Sequence, residues 1–332
     1  MAKRRSNGVI VITGASSGIG QATAEAFARQ GARLVLAARD GVALETVAAR
    51  CRAGGAADAI AVATDVTDAA AVKALAERAR SWGGRIDVWV SNVGVGAVGR
   101  YHETPMEAHA QVIRANLIGH MNDAHVAVPI FLEQEDGVFV NMISLGGFAA
   151  APFAAAYSAS KFGLRGFGEA LRAELADHPD IHVCDVYPAF IDTPGIRHGA
   201  NYVGKKLSAP PPVYDARKVA RAVVRLADHP RASTVVGAVA HLVRLGHAVA
   251  PDLSGRIMAR FMEEYFRRAR RAPVTDGNLF GPPAVAGGID GGLRASAGSR
   301  ALAGAAAVAG AVALSAVGVA IALAIARRNA GR

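Results

Sequence analysis

The sequence predicts an α/β fold in which a doubly wound parallel sheet of seven strands carries helices on both faces. Three observations predict it. Short, β-branched apolar runs alternate with segments of helical length. Helix breakers, notably Gly31, Gly54–Gly55, Gly83–Gly84 and Pro179, mark the ends of those segments. The first apolar run leads through a glycine-rich turn directly into a helical pattern.

The elements follow in order. "GVIVIT", "ARLVLAA", "DAIAVAT", "IDVWVS", "GVFVNMIS", "IHVCDVYP" and "STVVGAVA" are continuous apolar runs, the pattern of strands covered on both faces. Between them, 18–30, 41–52, 69–82, 106–131, 155–177 and 215–228 have helical length. The regular alternation stops near residue 242, which sets the limit of a first domain over 1–242. A C-terminal extension over 243–271 follows, with Ile257, Met258, Phe261, Met262, Tyr265 and Phe266 forming the apolar stripe of an amphipathic helix. Core packing and a lid or membrane-surface role fit that stripe equally. Residues 272–300 hold seven glycines and three prolines and read as a flexible linker.

Residues 301–326 contain no charge and are half alanine, within a candidate transmembrane helix over 301–328. As a helix this run is roughly 39 Å long at ~1.5 Å per residue, enough to cross a bilayer core of ~30 Å. With no polar face to meet water, membrane insertion is the expectation, and an Ala-rich helix packed on protein is the alternative. Arginines flank both ends, so they do not orient the tail. The apolar run after the basic start is too short for a signal peptide.

Composition narrows the function classes. Of 332 residues, 52% are apolar and 19% charged, which describes a chain with a well-stocked core. The net charge of +10 is concentrated in "AKRR" and in 256–271, and no basic stripe interleaved with aromatics accompanies it, so nucleic acid is not an expected partner. Cys51 and Cys184 are the only cysteines and read as buried thiols. No metal site is expected.

"TGASSGIG" puts Gly14, Gly18 and Gly20 between a strand and a helix. Such glycines permit a tight turn and let backbone amides and the helix dipole face a pyrophosphate. Further along, Tyr157 and Lys161 in "YSASK" lie four residues apart on one helix face. A free tyrosine, with pKa ~10, is a poor acid–base group near neutrality, and a nearby lysine cation favours its phenolate. Alone, such a pair is more often structural than catalytic. Ser144, however, ends the fifth predicted strand 13 residues before Tyr157.

The spacing T-G-x-x-x-G-x-G, the Y-x-x-x-K pair and the serine before it resemble the short-chain dehydrogenase/reductase family, with matches in the family's order from residue 8 to about 240. The resemblance implies a Rossmann-like fold and a catalytic set of Asn116, Ser144, Tyr157 and Lys161. Asn116, in "RANLIGH", would hold a water in a proton relay; without the resemblance it reads as a buried polar residue. Gly14, Ser16, Gly18, Ile19 and Gly20 would meet the cofactor's phosphates. Asp65 and Val66 would hold the adenine, although Asp65 also reads as a turn residue. Asn92 and Gly94 retain part of the family's N-N-A-G segment, in which Ser91 and Val93 are departures. Pro188, Ile191 and Thr193 in "YPAFIDTP" would meet the nicotinamide carboxamide, with Ala189 replacing the usual glycine. Tyr157 and Lys161 would also contact the cofactor.

In the family the second strand ends near the adenosine ribose, where an acid selects a free hydroxyl and a cation a 2′-phosphate. Arg39 there argues for NADP(H), and Asp40 reads as the next helix's N-cap. A one-residue shift of the strand end exchanges their roles. The expectation is an NADP(H)-dependent oxidoreductase acting on a carbonyl or alcohol, with a membrane-bound tail pointing to a lipophilic substrate. A non-catalytic NADP(H)-binding scaffold or redox sensor is the rival. The need for NADPH and the lack of a signal peptide place the catalytic domain on the cytoplasmic side. The ending familiar from many soluble tetrameric members is missing, so a homodimer is the expected assembly and a tetramer the alternative.

Overall fold

A computed structural model of the chain describes residues 4–283 and 287–294. The predicted tail over 301–328 lies outside the described residues. Among the described residues, no helix is long and apolar enough to cross a membrane.

Seven strands form one parallel sheet: β1 (Val9–Thr13), β2 (Arg33–Ala38), β3 (Asp58–Ala63), β4 (Val88–Ser91), β6 (Gly137–Met142), β7 (Ile181–Pro188) and β11 (Ser233–Val236). A short strand, β5 (Ala97–Val98), precedes β6 outside this sheet. The order is β11-β7-β6-β4-β1-β2-β3, so the chain reverses its winding direction between β1 and β4. In doubly wound sheets the crevice at such a switch point is the ligand site.

Alternate residues of each strand enter two cores. Ile10, Ile12, Leu34, Leu36, Val88 and Val90 pack against α1 (Gly18–Ala28), α2 (Gly41–Ala53) and α8 (Ala216–Asp228). Val11, Val35, Trp89 and Phe139 face the other way, onto α3 (Ala69–Gly83) and α5 (Gly119–Gln134). Helix α6 (Ala155–Glu174) flanks that side, ending at buried Leu175. The strands therefore need apolar side chains at every position, which is why they read as unbroken runs.

The predicted helix over 106–131 is interrupted. α4 (Met106–Ile113) passes into a π-helical turn at Arg114–Ile118 before α5 begins. One extra residue per turn rotates Asn116 fully inward, and such bulges are frequent at functional sites.

The last predicted strand, "STVVGAVA", is shorter than expected. Gly237 at φ 113° turns the chain out of β11, and α9 (Ala238–Val249) starts immediately. The amphipathic pattern becomes α10 (Pro251–Arg268), of whose stripe only Phe266 is buried, edge-on to Phe153 at 5.1 Å.

Short elements at the carboxyl edge of the sheet build the walls of the cleft. β8 (Ile191–Asp192) pairs with β10 (Tyr214–Asp215), and β5 pairs with β9 (Ala200–Asn201). A short helix, α7 (Gly195–His198), links β8 to β9. The described residues of the expected linker are not spaced away from this body. Thr275 bridges Asn201, and Leu279 and Ile289 are buried.

Candidate active site

The glycine loop follows β1. Gly14 and Gly18 have φ of 67° and 55°, conformations that disfavour a side chain. A Cβ on Gly20 would stand 2.0 Å from the Gly14 carbonyl oxygen, so the third glycine is required by close approach. Asn92 ties the loop to β4, its Nδ2 donating to Gly14 O at 3.2 Å. Ser17 precedes α1 without capping it by its side chain, which leaves first-turn amides to face an anion. Gly94 has open space at its Cβ position, whereas Ile19 packs partly against the core. Ser16 is half-buried in the loop.

Arg39 stands one residue beyond β2, while Asp40 caps α2 by accepting from Ala43 N at 3.0 Å. Among the described residues Arg39 forms no ion pair; its Nη2 and Nη1 donate to the carbonyls of Asn278 and Leu279 at 2.6 and 3.2 Å. A guanidinium at this strand end, beside glycine-loop amides and a dipole end, is a donor set that fits a phosphorylated dinucleotide. Asp65 uses its carboxylate locally, accepting from Thr67 N and Oγ1 at 2.9 and 2.8 Å. The Val66 side chain is buried, and its carbonyl accepts from Asn122 at 2.8 Å.

Ser144, Tyr157, Lys161 and Asn116 converge on the carboxyl side of β4 and β6. Ser144 lies two residues past β6 at φ 151°, ψ 164°, a region L residues rarely adopt, and its Oγ accepts from Gly146 N at 3.1 Å. Tyr157 is in the first turn of α6. Lys161, one turn further, donates from Nζ to Met142 O at 3.1 Å and lies 5.8 Å from the Tyr157 ring centroid. Burial pushes the Tyr157 phenol up, with the neighbouring Ser144 hydroxyl acting the other way. The same burial pulls Lys161 down from 10.5 to about 7. Both shifts favour the neutral forms, so the phenol is set as a proton donor.

Asn116 pairs with the backbone of Val95 like a strand residue. Its Oδ1 accepts from Val95 N at 2.8 Å and its Nδ2 donates to Val95 O at 2.9 Å. Nδ2 also reaches Ser160 Oγ at 3.2 Å, and that hydroxyl donates to Tyr157 O at 2.7 Å. Across the cleft, Pro188 ends β7, Ile191 is buried in the core, and Thr193 Cβ lies 3.2 Å from where a Gly18 Cβ would stand. Ala189 is accommodated because Gly237 opposite it has no side chain; a Cβ there would be 2.8 Å away.

Sequence reasoning missed a buried polar chain behind the site. His120 faces Val93 O and Asn141 Oδ1, each at 2.8 Å, and burial lowers it to about 4. A neutral imidazole has one N–H, so it donates to one of these oxygens. Asn141 donates to Asp185 at 2.9 Å, and Arg172 reaches the same carboxylate at 2.8 Å. Asp123, fully buried, accepts from Ser91 and Thr13 at 2.6 and 2.8 Å. The signal was present: Asn116, His120 and Asp123 fall at i, i+4 and i+7, one helix face. Ser91, a departure from the family's asparagine, is thus engaged by a carboxylate.

A parallel sheet with a glycine loop at its switch point, and a tyrosine–lysine pair beside a strand-end serine, define an oxidoreductase built to hold a nicotinamide dinucleotide. The chain belongs to the short chain dehydrogenase family, whose model matches residues 8–200. It is similar to the uncharacterized oxidoreductase YxnA of Bacillus subtilis, 33% identical over 263 residues, covering 78% of this chain and 74% of that one. Its fold is similar to an alcohol dehydrogenase from Thermococcus sibiricus complexed with 5-hydroxy-NADP (TM-score 0.60, 26% identity, 69% of this chain and 95% of that one). It also resembles a metagenomic short-chain oxidoreductase in complex with NADP (TM-score 0.59, 30% identity, 70% and 98%).

Proposed function

We propose that the protein is an NADP(H)-dependent reductase of carbonyl compounds, acting reversibly on the corresponding alcohols. The observation that carries this reading is the half-buried Tyr157 phenol, held as a proton donor beside Ser144 and one helical turn from buried Lys161.

Bound NADPH would supply the hydride. Ser144 Oγ orients the substrate oxygen, and the Tyr157 hydroxyl protonates it. The Lys161 ammonium offsets the negative charge left on the phenol, and Asn116 fixes the Val95 backbone that borders the proton path. Arg39 holds the 2′-phosphate, and Gly14, Ser16, Gly18, Ile19 and Gly20 cradle the pyrophosphate. The similar alcohol dehydrogenase and metagenomic oxidoreductase are complexed with 5-hydroxy-NADP and NADP, which supports the choice of NADP over NAD. Asp65, Val66, Asn92 and Gly94 border the adenosine side; Pro188, Ile191 and Thr193 border the nicotinamide side.

The uncharged run over 301–326 supports a membrane anchor with the catalytic domain on the cytoplasmic side, and therefore a lipophilic carbonyl substrate. A homodimer is the assembly we infer. NADPH oxidation against lipophilic and water-soluble carbonyls, with Tyr157→Phe as control, tests the reading. Turnover that survives in the variant overturns the tyrosine mechanism, and activity confined to sugars or soluble acids overturns the substrate class.

A further inference from the structure

The cleft between the glycine loop, Arg39 and α4 holds a part of the chain itself. Past Thr275, the segment crosses the cleft at Asn278 and Leu279, whose carbonyls take the two Arg39 hydrogen bonds. Gln111 on α4 donates to the Leu279 carbonyl as well, at 3.1 Å. The Leu279 side chain is fully buried in a cluster with Val95, Val112 and Ala115, against which Tyr157 packs. Residues 287–294 then return over the glycine loop, where Gly18 N donates to Gly288 O at 2.8 Å.

The fit explains the glycines of this segment. A Cβ at Gly277 would stand 2.3 Å from His198 O, and one at Gly291 would stand 2.2 Å from Thr193 O. Gly277, Gly288 and Gly292 have φ of 53°, 127° and 74°. These glycines serve close docking and left-handed turns. At the far end Arg294 bonds Asp192, Asp215 and Asp290 at 2.9, 2.8 and 2.6 Å.

We propose that residues 276–283 and 287–294 are an internal occupant of the cofactor cleft, and that NADP(H) and this strap exclude one another. The proposal rests on the cofactor reading above. Arg39, the Gly18 amide and Thr193, the groups assigned there to the dinucleotide, are the groups the strap touches. The exchange has a physical direction. Arg39 gives up two neutral carbonyls for a phosphate, which forms stronger, charge-assisted bonds. Leu279 loses its burial in return, so the strap sets a threshold that the cofactor must exceed. Arg294 and its three carboxylates lie past this crossing, so the segment stays tethered when the crossing opens.

Hydrogen exchange of the full chain, with and without saturating NADPH, tests this directly, with calorimetric NADPH affinity of wild type and Leu279→Ser beside it. The amides of 276–281 are expected to exchange faster with NADPH. The variant is expected to bind NADPH about tenfold or more tightly, because less of the protein is held in the closed form. Slower exchange with NADPH, or weaker binding by the variant, would mean that the segment closes over the cofactor and would overturn the proposal. NADPH binding with neither effect would also overturn it while leaving the reductase reading intact. Failure of both proteins to bind NADPH would overturn the cofactor reading and the proposal with it.

Discussion

Lys161 Nζ lies 5.8 Å from the centroid of the Tyr157 ring, and its hydrogen bond goes to the Met142 carbonyl on β6. The lysine is thus anchored to the sheet, and the tyrosine rides on the same helix one turn away. Burial has lowered the lysine to about 7. Its charge, which favours the phenolate, is therefore titratable near neutrality. Carbonyl reduction, measured as kcat/KM, is expected to fall as pH rises through about 7, because the cation that supports proton release is lost. A profile flat from about pH 6 to 9 would contradict that role.

Replacing Tyr157 by Phe removes the donor without emptying the site. The expected result is a drop in kcat of about 100-fold or more, the scale of general acid catalysis, with NADPH affinity changed much less. Single-turnover kinetics and NADPH titration check both parts.

Arg39→Ala tests cofactor selection. Loss of charge-assisted hydrogen bonds to a phosphate costs about 1.5–3 kcal/mol, or about 10- to 100-fold in affinity. That loss is expected for NADPH and not for NADH, so the ratio of their KM values is the measurement.

Asp123→Asn tests the buried carboxyl behind the glycine loop. Burial raises Asp123 from 3.8 to about 7, against hydrogen bonds from Ser91 and Thr13. Between those values the folded state holds a proton that the unfolded chain has released, so this group's contribution to stability is present below 3.8 and is lost as pH rises to about 7. The asparagine variant lacks this loss. Its denaturation midpoint relative to wild type is expected to rise between about pH 4 and 7, and a constant difference would contradict the shift.

Asn116→Ala leaves both the N–H and the C=O of buried Val95 without the side chain that pairs them. A destabilisation of ~2–4 kcal/mol is expected from two unsatisfied buried groups, measured by chemical denaturation. Asn116→Asp should recover only part of it, since a carboxylate accepts from Val95 N but cannot donate to Val95 O.

The sheet was legible in the residues alone, because strands covered on both faces admit apolar residues at every position and the glycine loop fixes the first crossover. Tyr157 and Lys161 could be placed on one helix face by their spacing and Ser144 at a strand end, but only the resemblance to the short-chain dehydrogenase/reductase family joined them, and Asn116 with them, into one candidate set. Neither the π-turn that rotates Asn116 inward nor the pairing of Asp123 with Thr13 and Ser91 could be read, because those partners are 110 and 32 residues away. Residues 272–300 show the limit most clearly. Seven glycines and three prolines read as a spacer, yet in the described parts glycine permits backbone to approach backbone, and only the surface that receives Gly277, Leu279 and Gly291 decides between a flexible chain and a docked one. Composition specifies which conformations a segment can adopt; long-range contacts with Arg39, Gly18 and Asp192 selected one of them.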